Sequence, residues 1–415
     1  MKKLLVIIAV ICQVSWSDTK SKSSKNFDKP TVILVSMDGF RADYFARTET
    51  PNFSSFIKNG VKASNLEPVF PSVTFVNHYT IVTGLLPAHH GIVNNSMWDP
   101  KTQRGFEVGD PNEVDQPEWW EGEPIWVTAE KQDVRSATMF WVGSSAEIAG
   151  KRPSYWMPYD KNLSKQKRVE KVLEWLDLPK EKRPRLITLY FEDADEAGHQ
   201  YGPDSLKVIE AIRELDRAFG LLMQGIQSRG LEKSIYILLV SDHGMAKVDR
   251  SHRIMTRDYV KSDEAKIVGK GALSMVWPRG SVQQSTILSR VEKSSKHFRV
   301  LNSEAMEKNY QYFGHRRIAP FIFLAEPGWY FDTSLVPSIK PSEFGLHGYD
   351  NQIQDMQAVF VANGPGFLPG TQVGEVKNID LYELIAYLLK IRPAKNDGNL
   401  NRISSTLNLK TGVKN

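Results

Sequence analysis

The stretch Thr31-Val32-Ile33-Leu34-Val35-Ser36-Met37, which runs directly into Asp38-Gly39, predicts the architecture of the chain. It is a continuous, largely apolar run bounded by a turn signal, a pattern typical of a strand buried on both faces, as in a parallel sheet. Similar runs recur at 185–191 and 234–241, with stretches of helical periodicity between them. Strands that alternate with helices in this way predict an α/β fold with a mostly parallel central sheet flanked by helices.

The remaining segments extend this pattern. Further strands are predicted at 136–141 and 357–362, and helices at 51–59, 74–83, 164–176, 204–229 and 379–389. Between about 249 and 341 the segments become short and rich in turns, which indicates an inserted antiparallel subdomain. We therefore predict one domain over 30–391 that carries this insert, followed by a polar, loosely packed tail over 392–415.

The amino-terminal residues have the pattern of an export signal. Met1-Lys2-Lys3 precedes the apolar run Leu4 to Val14, and Ser15-Trp16-Ser17 offers a cleavage site with small residues. The run is too short to span a bilayer, so we expect a signal peptide over 1–17, a flexible leader over 18–29 and no stable membrane anchor.

The single cysteine, Cys12, lies within the predicted signal peptide. The mature chain would then contain no disulfide, which for a secreted protein of this size favours a bacterial periplasm. Removing 1–17 takes away two lysines and no acids and lowers the formal charge from +5 to +3. That charge is too small to indicate binding to duplex nucleic acid, and no obligatory protein partner is evident.

Acidic residues follow the predicted strands. Asp38, Asp195 and Asp242 each stand at or just after the carboxyl end of a strand, and ligands of open α/β sheets bind outside these ends. Histidines accompany them: His243 is adjacent to Asp242, and His199 lies four residues after Asp195, which is one helical turn.

These residue types predict a metal site. Asp and neutral His are ligands of zinc in hydrolytic sites, and His347, flanked by glycine, adds another. Together they could hold two metal ions about 4 Å apart, as two-metal phosphoryl-transfer sites do. Any one of the nine histidines could instead be an ordinary surface or core residue.

Thr74 begins the predicted helix that ends before Gly84, after the segment Val69-Phe70-Pro71-Ser72-Val73. A helix amino terminus favours an anion, because its first N–H groups are unpaired and the helix dipole is positive there. Threonine is also a common helix cap, so this segment alone leaves both interpretations open.

Seven segments in order resemble the nucleotide pyrophosphatase/phosphodiesterase family of the alkaline phosphatase superfamily. They are Ser36-Met37-Asp38-Gly39-Phe40-Arg41; Thr74-Phe75 with Asn77-His78-Tyr79; His90-Gly91-Ile92-Val93-Asn94-Asn95; Gly122-Glu123-Pro124-Ile125-Trp126; Asp195 and His199 with Gly202-Pro203; Ser241-Asp242-His243-Gly244-Met245; and His347-Gly348-Tyr349-Asp350-Asn351. The resemblance extends from about Val32 to Leu389 and implies an alkaline-phosphatase-like core.

The resemblance implies a role for each matching residue. One zinc ion would be held by Asp195, His199 and His347. The other would be held by Asp38, Asp242 and His243 together with the Thr74 oxygen, and other divalent transition metals are possible. Thr74 would be the nucleophile that forms a covalent nucleotidyl intermediate. Asn95 and the backbone N–H of Phe75 would donate to a phosphate oxygen.

Some positions depart from the family pattern. Val76 and Ala194 stand where the family usually has proline, and neither position supplies a ligand. Glu192 and Asp193 are close enough to Asp195 to be alternative ligands, but the spacing to His199 favours Asp195.

The implied reaction is hydrolysis of a nucleotide phosphodiester or pyrophosphate bond with release of a nucleoside 5′-monophosphate. Phe75, Tyr159 and Trp120 are candidates to stack on the base, although each could be ordinary packing. A lipid or choline phosphodiesterase of the same family, a phosphonate hydrolase, and a non-catalytic binding protein on the same fold remain as alternatives.

Overall fold

The computed structural model describes residues 30–280, 282–294, 296–333 and 342–407. The predicted signal peptide and leader, and residues 408–415 of the predicted tail, lie outside the described residues. Within these ranges, no helix has both the length and the apolar character needed to cross a bilayer.

The core is a sheet of eight strands. Their order across the sheet is Thr371–Val373, Val61–Ala63, Phe360–Asn363, Ile235–Val240, Thr31–Met37, Leu186–Phe191, Ser136–Met139 and Tyr155–Trp156. Only Phe360–Asn363 runs antiparallel to its neighbours, and the other pairs in this sheet are parallel. The predicted α/β class with a mostly parallel central sheet is therefore confirmed.

The three central strands end at the same edge of the sheet. Met37 pairs with Phe191 on one side, and Ser36 pairs with Val240 on the other. This parallel register brings the residues after all three strands together, although they are far apart in the chain.

The central strand is buried on both faces, which explains its continuous apolar sequence. Val32 and Leu34 pack into a core with Val76 of the helix Thr74–Thr83, while Ile33 and Val35 pack into a second core on the other face. The helices are Pro51–Lys58, Thr74–Thr83, Pro87–His90, Pro111–Val114, Ile125–Glu130, Lys165–Asp177, Asp193–Tyr201, Leu206–Ser228, Gln284–Ser294, Ser303–Tyr310, Leu381–Leu389 and Leu400–Thr406, with 3-10 turns at Tyr44–Ala46, Pro117–Trp119, Thr256–Asp258, Gln354–Met356 and Asn378–Asp380.

The segment predicted as an insert forms an antiparallel sheet of four strands. Their order is Ala265–Val268, Leu273–Pro278, Phe321–Ala325 and Phe298–Asn302. Four two-stranded pairs complete the fold: Ala246–Asp249 with Glu343–Leu346, Arg253–Met255 with Tyr330–Asp332, Leu66–Glu67 with Val376–Lys377, and Ser96–Asp99 with Arg104–Glu107.

Arg317 attaches the insert to the core. Its buried guanidinium donates to the carbonyl oxygens of Gly91 (2.8 Å) and Trp119 (2.7 Å) and pairs with Asp99 at 3.1 Å. Because a buried arginine is stable only when its donors are satisfied, this junction fixes the insert against the segment that carries Asn95.

The tail is more ordered than we expected from its polar sequence. Residues 400–406 form a helix, and Ile403 and Leu407 are each 1% exposed. Arg402 donates from Nε and Nη2 to the buried carboxylate of Asp380, both at 2.5 Å. Two buried apolar side chains and one ion pair are enough to hold this short polar helix against the rest of the fold. A search for apolar periodicity does not detect a helix of this kind.

Candidate metal centre and active site

The three predicted carboxylates converge at one edge of the central sheet. Asp38 directly follows Thr31–Met37, and Asp242 follows Ile235–Val240 after one residue. Asp195 lies in the first turn of the helix Asp193–Tyr201, which follows the third strand. Asp38 and Asp242 are 2% and 0% exposed, so the carboxylates are buried together.

Gly39 permits this close approach. Its φ is +64°, and a Cβ atom at this position would lie 2.9 Å from the Cα of Asp195. Its N–H donates to Oδ1 of Asp242 at 3.1 Å. Only glycine combines this left-handed backbone with the space needed beside Asp195.

Asp195, His199 and His347, which we call the Asp195 cluster, have ligand atoms within 4.8 Å of one another. The Nε2 atom of His199 lies 3.4 Å from Oδ2 of Asp195, and that of His347 lies 3.6 Å from Oδ1. The first pair is four residues apart on one helix, as the spacing predicted.

Asp38, Asp242 and His243 form a second group, the Asp38 cluster. The Nε2 atom of His243 lies 3.5 Å from Oδ1 of Asp38 and 3.0 Å from Oδ2 of Asp242. The two clusters adjoin, because Asp38, Asp195 and His243 also offer ligand atoms within 4.8 Å of one another.

Backbone carbonyls orient the three histidines. Each donates from Nδ1 to a carbonyl oxygen: His199 to Gly345 (2.9 Å), His347 to Ser72 (3.1 Å) and His243 to Gly244 (2.8 Å). A carbonyl can only accept, so the neutral imidazoles carry their hydrogen on Nδ1 and present the Nε2 lone pair to the carboxylates. This tautomer is the one that binds a metal through Nε2.

The electrostatics of the two clusters suit cations. Burial, followed by the charges of Asp242 and Asp195, raises the pKa of Asp38 well above its usual value. Burial and the neighbouring His243 and His199 hold the pKa of His347 well below its usual value. Buried carboxylates that crowd together favour a bound positive charge.

Unpaired oxygen atoms support the same conclusion. Oδ1 of Asp38, Oδ1 of Asp195 and Oδ2 of Asp242 are buried without a hydrogen-bond donor. Such atoms are costly unless something pairs with them, and carboxylate oxygen with imidazole nitrogen is a donor set of divalent zinc. The residues present therefore fit divalent metal ions, and the clusters are candidate metal-binding groups.

Thr74 stands at the Asp38 cluster. It is the first residue of the helix Thr74–Thr83, and the preceding residue, Val73, makes no side-chain cap. Its Oγ1 lies 3.2 Å from Nε2 of His243. The hydroxyl is therefore directed at the candidate metal centre and does not cap its own helix.

Asn95 lies next to the start of this helix. Its Oδ1 accepts a hydrogen bond from the backbone N–H of Phe75 at 3.0 Å. We expected that N–H to donate to a phosphate, but in this structure it donates to Asn95. The contact orients the Asn95 amide so that Nδ2 is its remaining donor.

The predicted stacking residues have different environments. Tyr159 is 55% exposed, and its ring centroid lies 6.4 Å from that of Tyr190 near the Asp38 cluster. Phe75 is half-buried, with its centroid 6.1 Å from that of Trp120. Trp120 itself is only 4% exposed and donates from Nε1 to the carbonyl of Val114 at 2.9 Å. Trp120 thus supports Phe75 and offers little ring surface to a ligand, in contrast to the predicted substrate contact.

Two neighbours of the site were not predicted from the sequence. The Nδ1 atom of His78 lies 3.3 Å from Oδ2 of Asp242, and the Tyr190 hydroxyl donates to Oδ2 of Asp38 at 2.6 Å. His78 follows Thr74 by four residues on the same helix, and this spacing could have indicated it. Tyr190 is one aromatic residue within a buried strand, and nothing local distinguishes it.

The alternative ligands considered for the Asp195 cluster are engaged elsewhere. Glu192 forms a two-point ion pair with the buried Arg168, at 2.6 and 2.7 Å. Asp193 pairs with Lys165. Both acids are therefore already neutralised by basic side chains.

The family is identified by a comparison of sequences. The sequence profile of the family described as type I phosphodiesterase / nucleotide pyrophosphatase matches residues 32–350, which include both clusters, Thr74 and Asn95. The chain belongs to this family. The resemblance predicted from the seven segments is confirmed.

Relatives in the type I phosphodiesterase / nucleotide pyrophosphatase family are identical to this chain at about a third of the aligned positions. The chain is 35% identical to a venom phosphodiesterase of Naja atra over 401 residues, 94% of this chain and 48% of the venom protein. It is 36% identical to ectonucleotide pyrophosphatase/phosphodiesterase family member 3 of Bos taurus, over 95% of this chain and 47% of that protein. The chain thus spans about half the length of these relatives.

Solved structures of the family share the fold. Human ectonucleotide pyrophosphatase/phosphodiesterase 5 superposes with a TM-score of 0.85 at 32% identity, covering 91% of this chain and all of that one. The mouse protein, solved as an inactive threonine-to-alanine variant in complex with AMP, gives 0.85 at 29% identity with the same coverage. The predicted alkaline-phosphatase-like fold is confirmed.

Replacing Tyr190 with phenylalanine is expected to weaken metal binding about 10- to 100-fold, because Asp38 is a candidate ligand and the loss of a ligand's hydrogen-bond partner typically has an effect of this size. The hydroxyl donates to Asp38, while the ring would stay packed in the sheet. Competition with a chromogenic chelator measures the affinity. Tyr155→Phe is the control, since it removes a hydroxyl bonded to Lys182 instead. Equal metal affinities for both variants would contradict the role given to Tyr190.

Proposed function

We propose that this chain hydrolyses phosphodiester or pyrophosphate bonds of nucleotides and releases nucleoside 5′-monophosphates. The observation that carries the proposal is the position of the Thr74 hydroxyl, 3.2 Å from Nε2 of His243 at the edge of two adjoining Asp/His clusters. A hydroxyl nucleophile beside a metal-binding group is the arrangement that phosphoryl transfer requires.

Two zinc ions are the proposed cofactors, although other divalent transition metals share these ligands. Asp195, His199 and His347 would hold one, and the Asp38 cluster with Thr74 would hold the other. Bound there, zinc would lower the pKa of the Thr74 hydroxyl and neutralise negative charge on the reacting phosphate.

The residues of the chain define the course of the reaction. The Thr74 oxygen forms a bond to phosphorus as the bond to the leaving oxygen breaks, and its hydroxyl proton passes to solvent. The resulting Thr74–nucleotide ester is then cleaved by water, which releases the nucleoside 5′-monophosphate and restores the hydroxyl. Asn95 Nδ2 and the amino terminus of the helix Thr74–Thr83 stabilise charge on a non-bridging oxygen throughout.

Three relatives support a nucleotide substrate and an extracytoplasmic location. The inactive mouse protein carries a threonine-to-alanine change and was solved with AMP, in keeping with a threonine nucleophile and a nucleotide ligand. Relatives named as venom or ectonucleotide enzymes agree with export of this chain across a membrane. Export to a bacterial periplasm remains a prediction from the sequence.

The proposal is tested with three nitrophenyl esters: those of a nucleoside 5′-monophosphate, of phosphate and of phosphocholine. We expect the zinc-loaded protein to prefer the nucleotide diester and a chelator to abolish turnover. Preference for phosphocholine would assign the chain to the lipid-type alternative. No turnover of any ester would contradict the proposed function and favour a phosphonate substrate or a binding role.

Tyr159→Ala is expected to raise KM for a nucleotide ester about tenfold or more, because stacking on a base contributes roughly 1–3 kcal/mol. A simple aryl phosphonate ester, which has no base, should be affected far less. Tyr159→Phe keeps the ring and should retain most of the affinity. Equal losses of Tyr159→Ala on both substrates would contradict a stacking role for this exposed ring.

A further inference from the structure

The insert approaches the site through one hairpin. The strands Ala265–Val268 and Leu273–Pro278 pair antiparallel, with Val268 opposite Met275, and residues 269–272 form the hairpin tip between them. Gly269 and Gly271 have φ of +95° and +81°, so two residues of this tight turn need the freedom of glycine. Lys270 lies between these glycines at the tip.

The hairpin tip approaches both sides of the candidate site. A Cβ atom on Gly269 would lie 3.3 Å from Nδ2 of Asn94, the residue before Asn95. A Cβ atom on Gly271 would lie 3.3 Å from Cδ1 of Leu346, the residue before His347. A Cβ atom on Gly348, which follows His347, would lie 3.5 Å from the Cβ of Ala272. The tip therefore borders the site between the proposed phosphate donor and a proposed metal ligand.

Backbone hydrogen bonds hold this tip in place. Gly271 exchanges both backbone bonds with Phe331, at 2.9 and 2.7 Å, and Ser274 Oγ donates to the Gly269 carbonyl at 3.3 Å. Lys270 is exposed, and no hydrogen bond or ion pair engages it within the described part of the chain. The backbone of the hairpin tip is therefore held in place, and the Lys270 ammonium has no partner of opposite charge within the described residues.

In-line displacement places Lys270 on the side of the leaving group. The nucleophile and the leaving oxygen lie on opposite sides of the phosphorus, and Thr74 stands at the Asp38 cluster. In the proposed reaction the leaving oxygen would then face the Asp195 cluster, where the hairpin tip lies beside both chain neighbours of His347. The exposed Tyr159 lies on the other side, near Asp38.

We propose that Lys270 is a specificity-determining residue that binds the distal phosphate groups of the leaving group. A lysine ammonium on its flexible four-carbon stem is suited to a mobile polyphosphate. The favoured substrate class is then a nucleotide pyrophosphate, such as a nucleoside triphosphate, over diesters with an uncharged leaving group. This inference rests on the proposed function and deepens it.

The test compares two substrates that deliver the same nucleotidyl group to Thr74. One is a nucleoside triphosphate, whose leaving group is pyrophosphate, and the other is the nitrophenyl ester of the corresponding 5′-monophosphate. The measured quantity is the ratio of the two kcat/KM values. Lys270→Ala should lower this ratio about tenfold, as expected for one charge-assisted hydrogen bond. Lys270→Glu should lower it further by repulsion, and Lys270→Arg should retain most of it.

Lys293→Ala is the matched control, because Lys293 is an exposed lysine on the helix Gln284–Ser294 of the same insert. The ratio of the two kcat/KM values for Lys293→Ala should equal that of the wild type. Rising ionic strength should lower the ratio more steeply for the wild type than for Lys270→Ala. An unchanged ratio in both Lys270→Ala and Lys270→Glu would overturn the inference while the proposed function stands. If the wild type turned over neither substrate, the proposed function itself would be wrong.

Discussion

Thr74→Ala is expected to reduce turnover of a nucleotide ester by about 10⁴-fold or more, the scale of loss when an enzyme nucleophile is removed. The metal content and the fold should be unchanged. Within the described residues, the side-chain hydrogen bond of this hydroxyl is to His243, at 3.2 Å, and the six proposed Asp and His ligands do not depend on it. Steady-state kinetics, elemental analysis and thermal unfolding measure the three quantities.

Thr83→Ala provides the control for this experiment. Thr83 lies on the same helix, and its Oγ1 bonds to the backbone carbonyl of Tyr79 at 2.7 Å, away from the clusters. It should keep its activity at a modest cost in stability. If Thr74→Ala retained most of the wild-type turnover, a covalent threonine intermediate would be untenable.

Asp242→Asn is expected to cost one bound metal ion per chain and to lower kcat/KM by about 10³-fold, since metal stabilisation of a reacting phosphate is worth several kcal/mol. The burial of Asp242 opposes its ionisation, but attraction to His243 and His78 holds its pKa well below the usual value. An asparagine keeps the shape, and its oxygen can still accept from Gly39, but the buried negative charge is lost. Metal analysis after gel filtration gives the stoichiometry.

The same substitution at Asp263, an exposed carboxylate of the insert, should leave metal content and activity unchanged. Thr74→Ala and Asp242→Asn are also informative as a pair. The first should remove turnover with both metals bound, and the second should remove turnover together with one metal. Full metal content in Asp242→Asn would show that the Asp38 cluster is not a metal site.

Several elements were predicted within two residues of their observed ends. The predicted helix 74–83 is observed as Thr74–Thr83, and the strand expected at 234–241 is observed as Ile235–Val240. These elements combine an unbroken apolar run or a clear helical period with a terminal glycine or a turn residue. The tail helix Leu400–Thr406 was not predicted, because its docking rests on the distant Asp380.

The candidate site was predictable to the extent that its residues stand in recognisable local patterns. Asp38, Asp242 and His243 follow buried strands, and Asp195 and His199 have helical spacing. The contacts that support these site residues could not be predicted from the sequence. Tyr190 reaches Asp38 from a neighbouring strand, and the burial of Trp120 beneath Phe75 reverses its expected exposure.

The sequence by itself determined the α/β class, the helix that begins at Thr74, the acidic and imidazole residues of the site, and the family. Each of these depends on a few consecutive residues, or on motifs that stay in order along the chain. Tertiary structure decided which carboxylates share a cluster, which nitrogen each histidine presents, and where Lys270 lies. These depend on parallel strand register and on a hairpin from the insert, which bring together residues about two hundred positions apart. A local sequence pattern carries no information about such pairings.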